Sequence, residues 1–397
     1  MRGSPEISLF SIKIQLQKSV ENTYQKFLSS HRRNGAVFHS MLSSIHRGIY
    51  FITITIASLL FGGFVRPSNA FASPASCPRT QTRVMSSDTT FLDTVSAAAS
   101  KAVGNEIKLK STSGGGASGG GGATTGALLD PETNTKYFLK SARNGYNMLM
   151  AEYEGVKAMA DTSTIRVPTP IAFGKHDSQA FVLFEYLEFC GGGSSGQYDL
   201  GVALAKMHKK GISPNGDKPF GFPVDNTIGA TFQPNLPWHD NWADFWDEHR
   251  LGHMLKLTGD AGMSKDQIEK LRKKTRELLS VEARGGDPIV ASIVHGDLWG
   301  GNKGFCKDPE ANGGIAPTIF DPAAYYGDRE VDVAMTYLFG GFNGDFYDGY
   351  NSVWPLSEGH EKRRTVYNLY HILNHDVLFG GGYINQARGM IQQILNY

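Results

Sequence analysis

The residues best suited to carry out chemistry lie in the segment Ile293–Asn302, IVHGDLWGGN. Asp297 follows an apolar stretch, and Asn302 stands five positions later in a glycine-containing loop. Phosphoryl transfer to an alcohol needs a carboxylate that accepts the hydroxyl proton and, nearby, a side-chain oxygen that binds Mg²⁺. The spacing Asp-x-x-x-x-Asn supplies both groups in kinase catalytic loops. We therefore predict that Asp297 is the catalytic base and that Asn302 is a metal ligand.

A second metal-binding carboxylate is expected on a strand that follows this loop. Asp321 comes directly after the apolar pair Ile319 and Phe320, where protein kinases carry Asp-Phe-Gly. A His-Gly-Asp triplet alone occurs by chance, but the spaced asparagine and the later Phe-Asp pair together favour a kinase that uses ATP and Mg²⁺. His295 is expected to fix the loop by hydrogen bonds and not to act as a second base.

Lys140 and one glutamate are predicted to hold the phosphates of ATP. Lys140 closes the strand pattern Tyr137–Lys140, the position from which a kinase lysine reaches the α- and β-phosphates. In the helix pattern that follows, Glu152 and Glu154 compete to pair with it. Glu152 shares its helix face with larger apolar side chains, so it is predicted to face inward and to be the partner. An exposed strand-end lysine and solvated helix charges are the alternative interpretation.

The run Ser113–Gly126, SGGGASGGGGATTG, is dominated by glycine and lies between strand patterns. As a phosphate-covering loop it would let main-chain N–H groups approach ATP closely. As low-complexity sequence it would be a flexible linker. Its position favours the loop. The predicted nucleotide contacts in this run are Gly114, Gly115, Gly116 and Gly119.

The elements needed to position these groups form two lobes. Helix, strand and glycine-loop patterns run from Phe91 to Asp161, and Phe181–Leu187 reads as a buried strand. Mostly helical patterns interrupted by Gly and Pro loops follow. The sequence therefore predicts an α+β fold with a small β-rich lobe over residues 89–187 and a larger helical lobe over residues 188–397. Main-chain groups at the junction are predicted to meet the adenine ring: Glu185, Tyr186 and Leu187.

The composition of the 397 residues argues against a nucleic-acid partner. Lys and Arg number 39 and Asp and Glu number 38, so the formal net charge of +1 creates no global field. A small polar substrate fits better. Cys77, Cys190 and Cys306 lie far apart, with no Cys-x-x-Cys pair and no His-rich partner segment, so neither a disulfide framework nor a zinc site is expected.

Residues 1–88 are predicted to be a targeting presequence. Ile49–Val65 is uncharged and apolar, with about the length of a signal-peptide core or a short membrane span. Small residues that follow predict cleavage after Ala70. The next stretch opens on Phe71 and has no acidic residue before Asp88, which is similar to the transit peptides of algal secondary plastids. We expect a plastid protein whose mature form has no membrane anchor; the alternative is an anchored or secretory protein.

From about Phe91 to the C-terminus the chain resembles the fructosamine-3-kinase (ketosamine-3-kinase) family. The segments that carry the resemblance are HGDLWGGN from His295, FDPAAYYGDRE from Phe320 and LFGGF from Leu338. The resemblance implies a protein-kinase-like bilobal fold and ATP-dependent phosphorylation of the 3-hydroxyl of ketosamines, the sugar adducts of lysine, free or on glycated proteins. Such a phosphate makes the adduct unstable and so removes it. The residues it suggests near the substrate are Gln233, Asn235 and Trp242. Trp299, between the base and the metal-binding asparagine, is placed either to lie against the sugar ring or to pack the loop.

Three alternative functions would use some of the same groups. An aminoglycoside- or choline-kinase-like enzyme needs only a similarly compact loop after the metal-binding aspartate. A nucleotide-binding pseudokinase is disfavoured because every catalytic group is present. A protein kinase needs a long activation segment, and too few residues separate Asp321 from the helix pattern Glu330–Leu338. Many family members carry a cysteine in the nucleotide loop, whereas Ser113–Gly126 has none, so redox control through that loop is not expected.

Overall fold

The computed structural model describes residues 89–112, 117–118 and 122–397. The predicted presequence, residues 1–88, and the predicted nucleotide contacts Gly114, Gly115, Gly116 and Gly119 lie outside the described residues. In chain order the helices are Thr89–Val103 (α1), Tyr146–Ala160 (α2), Gly196–Lys210 (α3), Trp242–Trp246 (α4), Gly252–Leu257 (α5), Lys265–Leu278 (α6), Glu330–Thr336 (α7), Gly344–Val353 (α8), His360–Phe379 (α9) and Tyr383–Leu395 (α10). The strands are Lys110–Ser111 (β1), Ala117–Ser118 (β2), Thr124–Asp130 (β3), Thr135–Arg143 (β4), Pro170–His176 (β5), Gln179–Glu185 (β6), Asn226–Ile228 (β7), Thr231–Gln233 (β8), Ala291–Val294 (β9), Lys303–Lys307 (β10), Ile315–Ile319 (β11) and Tyr325–Asp328 (β12).

An antiparallel sheet forms the N-terminal lobe, in the order β1-β3-β4-β6-β5 with β2 paired to β3. Lys140 lies on the central strand β4, opposite Thr125 of β3 and Val182 of β6. Ladder hydrogen bonds on both sides therefore hold its main chain in place. The edge strand β5 was not predicted; it opens on Pro170, and proline is tolerated at the first residue of an edge strand.

Alternation along β4 and β6 assigns their apolar side chains to two faces of this sheet. Leu139 and Leu183 pack with Val95 of α1 in one buried cluster. Val182 belongs to a second and larger cluster, which includes Leu149 of α2 and extends into the helical lobe. The sheet is therefore covered on both faces, and α2 lies on the face that looks towards the rest of the molecule.

The C-terminal lobe is built around α9, whose side chains Tyr367, Ile372 and Leu373 are fully buried. Helices α3 and α8 cross closely because both carry glycine at the contact. A Cβ on Gly201 would lie 2.0 Å from the carbonyl oxygen of Phe346. The lobe is mostly helical, as predicted, and it also contains three antiparallel strand pairs, β7 with β8, β9 with β12 and β10 with β11.

Within the part of the chain that the structure describes, no helix is both long and apolar enough to cross a membrane. The apolar segment Ile49–Val65 falls outside that part. The α+β class predicted from the sequence is confirmed, with a small sheet-containing lobe followed by a mostly helical one.

Candidate active site

Two of the short strand pairs position the loops that carry the predicted catalytic groups. The 295–302 loop leads from β9 to β10, and the 320–324 loop leads from β11 to β12. Since β9 pairs with β12 and β10 pairs with β11, both loops are anchored at the same two ladders. They therefore lie side by side, and Asp297 and Asp321 line a common cavity.

His295 ties these two loops together. Its Nε2 lies 2.8 Å from the carbonyl oxygen of Phe320, and the main-chain N–H of Asp297 donates to its Nδ1 at 3.2 Å. Burial lowers the pKa of His295, so the ring is neutral. Because Nδ1 accepts a hydrogen bond, the proton is on Nε2 and is donated to Phe320. This is the loop-fixing role that the sequence suggested for His295.

Asp332 of α7 caps the start of the 295–302 loop. Its carboxylate accepts hydrogen bonds from the main-chain N–H groups of His295 at 2.7 Å and Gly296 at 2.8 Å, and His208 Nε2 lies 3.0 Å away. Burial opposes ionisation, but these hydrogen bonds and the neighbouring rings hold the pKa of Asp332 below its usual value. Gly296 has φ +78°, and a Cβ there would lie 2.2 Å from the oxygen of Ala323, so this turn requires glycine.

Asp297 is only partly exposed to the cavity that it lines. Burial raises the pKa of its carboxyl to about 7, and the negative charge of Asp321 acts in the same direction. The Asn302 amide donates to the main-chain oxygen of Asp297 at 2.9 Å and to its Oδ2 at 3.2 Å. A carboxyl group with a pKa near neutrality, held in a fixed orientation, is well suited to accept a proton from a hydroxyl group.

Lys140 lies between two carboxylates that come from different parts of the chain. Its Nζ donates to Glu152 Oε1 at 2.6 Å and to Asp321 Oδ1 at 2.5 Å. Although burial opposes it, the two negative charges raise the pKa of Lys140 above its ordinary value, so the ammonium is charged. Of the two glutamates that competed for this contact, Glu154 is exposed and Glu152 faces Lys140.

Asp321 adopts a backbone conformation that is uncommon outside glycine. Its φ is +58°, in the left-handed region. Non-glycine residues in this region are found at functional sites where the surrounding structure enforces them. Asp321 comes shortly after β11, and its carboxylate is held by the contact with Lys140.

Two adjoining cavities share Lys140, Glu152 and Asp321. The first has a volume of about 230 Å³ and is lined mostly by apolar side chains together with the segment at the end of β6. The second has a volume of about 270 Å³ and contains Asp297 and Asn302. A cavity lined mostly by apolar side chains, next to one that contains carboxylates, suits a nucleotide base and a polar acceptor.

The end of β6 lines the first cavity through Glu185, Tyr186 and Leu187, the residues expected at the adenine. The Glu185 side chain contacts Arg166 and accepts from the Thr169 hydroxyl at 2.8 Å, and the Glu185 N–H donates to the Thr169 oxygen at 2.9 Å. The Glu185 N–H is thus already used within the protein. The main-chain N–H groups of Tyr186 and Leu187 remain the predicted hydrogen-bond donors to the adenine ring.

Gln233, Asn235 and Trp242 do not reach the cavity surface, so the expectation that they contact the substrate is wrong. Gln233 and Asn235 have no exposed surface, and Trp242 is 2% exposed. The amide groups of Gln233 and Asn235 both donate to Asn226 Oδ1, at 2.7 and 3.0 Å. Trp242 donates to the hydroxyl of Tyr367 at 3.0 Å. All three buried side chains therefore have structural roles in the packing around the site.

Asn226 is one of the cavity residues that the sequence did not indicate. It lines the second cavity, and its amide donates to the main-chain oxygen of Ala324 at 2.8 Å. Only the pairing of β7 with β8, which sets Asn226 opposite Gln233, could have indicated it. Trp299 also lines this cavity and is 42% exposed, and its ring lies over Gly301, where a Cβ would be 2.3 Å from it.

A sheet lobe carrying a charged lysine paired with a helix glutamate, followed by an aspartate–asparagine loop and a second aspartate, defines a kinase-like phosphotransferase site. The fold supports the same class. A crystal structure of a candidate fructosamine-3-kinase from Haemophilus somnus 129PT superimposes with a TM-score of 0.65 at 27% identity, covering 77% of this chain and 98% of that one.

A sequence model described as Fructosamine kinase matches residues 92–397. A probable ketoamine kinase of Synechocystis is 46% identical over 261 residues, covering 66% of this chain and 83% of the relative. The chloroplastic protein-ribulosamine 3-kinase of Arabidopsis thaliana is 40% identical over 265 residues, covering 65% of this chain and 76% of the relative. The chain therefore belongs to the fructosamine kinase family, and the resemblance seen in the sequence is confirmed. Membership of a kinase family implies that the chain uses ATP.

Proposed function

We propose that the chain transfers a phosphoryl group from ATP to the 3-hydroxyl of ketosamines, the fructosamine or ribulosamine adducts of lysine. The observation that carries the proposal is the second cavity, which brings Asp297 together with the Lys140–Glu152–Asp321 cluster. Relatives over most of the folded region are named as ketoamine and ribulosamine kinases, which supports the choice of acceptor.

The residues present fit Mg²⁺ and ATP by the chemistry of their donors. Mg²⁺ prefers oxygen ligands, and Asp321 supplies a carboxylate in the same cavity as the side-chain amide of Asn302. Lys140 supplies a charged ammonium for phosphate oxygens. When bound, ATP would supply the phosphoryl group and Mg²⁺ would offset the negative charge on the phosphate oxygens.

In this proposal Asp297 would orient the acceptor hydroxyl and take its proton, while the hydroxyl oxygen bonds to the γ-phosphorus of ATP and the bond to the departing ADP breaks. Its carboxyl pKa of about 7 makes it a base of suitable strength at neutral pH. Asn302 keeps the carboxylate in position through its hydrogen bonds to Asp297. We assign Trp299, which is exposed beside Asp297, to contact the sugar ring.

The test is a panel of acceptors at saturating ATP. Fructosyl-lysine and ribulosyl-lysine are compared with an aminoglycoside and choline, and the phosphorylated carbon is located by NMR. We expect kcat/KM for a ketosamine to exceed that for the other acceptors by about 100-fold or more, with phosphate on carbon 3. An Asp297→Asn variant measured in parallel reports background hydrolysis. A preference for the aminoglycoside or for choline would contradict the assignment.

The proposal extends to where the protein works and how the chain is divided. Relatives from Arabidopsis and rice are named as chloroplastic, which supports a plastid location with residues 1–88 as the presequence. The remaining chain would comprise an N-terminal lobe, 89–187, and a C-terminal lobe, 188–397. N-terminal sequencing of the native protein tests this: a start at or after Phe71 agrees with it, and a membrane-bound chain that retains Ile49–Val65 overturns it.

A further inference from the structure

Two imidazoles and a carboxylate converge away from the active site. His239 Nε2 lies 3.1 Å from His249 Nε2 and 3.5 Å from Glu248 Oε2. One ligand atom from each residue lies within 4.8 Å of the other two. None of the three residues lines either cavity of the active site. The proposed phosphotransfer chemistry makes no use of them.

The two separations from His239 Nε2, to His249 Nε2 and to Glu248 Oε2, are close to those in a small metal site. In tetrahedral zinc sites the nitrogen and oxygen ligands lie about 2.0–2.2 Å from the metal, which places neighbouring ligand atoms roughly 3.3–3.6 Å apart. The observed 3.1 and 3.5 Å are within a few tenths of an ångström of this range. Two histidines and a glutamate are also a ligand set that zinc uses in proteins.

The fold holds the two imidazoles from different elements. His239 is fixed by a pair of main-chain hydrogen bonds with Phe220, at 3.1 and 2.8 Å. Glu248 and His249 lie on the π-helical turn Asp247–Leu251. π-Helical turns are rare and occur frequently at functional sites. His249 is only 5% exposed, so its ring cannot easily move away from His239.

A hydrogen bond between the two histidines is the simpler explanation of their contact. His249 Nε2 also lies 3.1 Å from the Pro237 oxygen, so a neutral His249 could donate there without any metal. That explanation gives no role to Glu248, whose carboxylate is nevertheless directed at His239 from the adjacent position on the turn. A metal ion accounts for all three side chains together.

We propose that His239, Glu248 and His249 bind a divalent transition metal, Zn²⁺ in the first instance, with water completing the coordination. Glu248 is exposed, so the site opens to solvent on that side. From the sequence no zinc site is expected, because none of these ligands is a cysteine and the two histidines lie ten positions apart. The metal would join the segment before α4 to the turn that follows α4.

This junction supports the acceptor side of the active site. Arg250, next to His249, donates to the oxygens of Pro234 at 2.6 Å and Asn235 at 2.7 Å. Asn235 in turn donates to Asn226, which lines the second cavity. A metal bound at the junction is therefore expected to raise the thermal stability of the folded chain.

To test this, bound metal is removed from the full, untagged chain with a chelator. The chain is then titrated with Zn²⁺ in competition with a chromophoric Zn²⁺ ligand, in the presence of excess Mg²⁺. Mg²⁺ fills oxygen-only sites and competes poorly for imidazole. We expect His239→Gln and His249→Gln each to bind one Zn²⁺ fewer than the unmodified chain, and Glu248→Gln to bind it about tenfold or more weakly. Co²⁺ should give tetrahedral absorption bands that these variants lose.

His253→Gln is the matched control, because His253 lies on the neighbouring helix α5 and contacts the Phe232 oxygen instead. It should bind Zn²⁺ like the unmodified chain. If His249→Gln fails to fold, Glu248→Gln decides the question, since Glu248 is exposed and its substitution leaves the core intact. Equal Zn²⁺ binding by the unmodified chain and the His239 and Glu248 variants would overturn the proposal, as would an equal loss in His253→Gln.

Discussion

Replacing Asp297 with asparagine should remove phosphoryl transfer and also stabilise the folded chain above neutral pH. Loss of a general base costs about 10²–10⁴ in rate. ATP affinity should stay within a few-fold, because Asp297 acts on the acceptor. The stability effect follows from burial, which raises the pKa of this carboxyl from 3.8 to about 7. Keeping the carboxylate ionised in the folded state therefore has a cost that the unfolded chain does not bear.

The sign and size of this effect can be worked out from the two pKa values. Below a pH of 3.8, the pKa of this carboxyl in the unfolded chain, Asp297 is protonated in both states and the cost is absent. The cost grows as the pH rises and is complete above pH 7. A difference of about 3 pKa units corresponds to an upper limit of about 4 kcal/mol. Because Asp297 is partly exposed to water in the cavity, we expect about 1–2 kcal/mol.

Urea unfolding of the unmodified chain and of Asp297→Asn at pH 5 and pH 8 measures this difference. The variant should be more stable at pH 8, and its advantage should shrink at pH 5. Asn302 provides a matched comparison, because Asn302→Ala removes the hydrogen bonds to Asp297 without removing its charge. A variant that is less stable than the parent at both pH values, or one that keeps normal turnover, would refute the reasoning.

Three further predictions concern the groups around Asp297. Asp321→Ala should lower Mg²⁺-ATP affinity and activity together, since one carboxylate serves both; an unchanged Mg²⁺ dependence would contradict it. Glu152→Gln should raise KM for ATP because Lys140 loses a charged partner. Glu154 is exposed, so Glu154→Gln should behave like the unmodified chain. If the two substitutions have equal effects, the Lys140–Glu152 pair does not hold ATP. Free fructosyl-lysine should react with kcat/KM within about tenfold of a glycated peptide, because the acceptor cavity is small and the 320–324 loop leads directly into β12. A thousandfold preference for one peptide would show that the protein recognises the amino-acid sequence of its substrate.

The short motifs were informative because their geometry is local. Asp297 and Asn302 share one tight loop, so a spacing of five positions already brings the two side chains within hydrogen-bond distance. The choice of Glu152 over Glu154 needed only the helical period and the apolar side chains on one face. The contact between Lys140 and Asp321, which lie 181 positions apart, could be inferred only from the kinase pattern.

What the sequence did not reveal depends on distant packing. The burial of Gln233 beneath Asn226 follows from the β7–β8 hairpin and from the hydroxyl of Tyr370, which donates to Gln233 at 2.7 Å. The sequence also did not reveal the buried ion pair between Arg284 and Asp328, at 2.6 Å. This ion pair supports β12, the strand that follows the 320–324 loop. Polar residues with no exposed surface look like site residues in a sequence, and only their partners show that they are structural.

The most direct test of Asp297 as the base is the pH dependence of kcat/KM for a ketosamine at saturating Mg²⁺-ATP. The base must be deprotonated, so the rate should fall about tenfold per pH unit below the pKa of Asp297, near 7, and level off above it. A rate that is independent of pH between 5.5 and 8.5, or one that rises as the pH falls, would contradict the account.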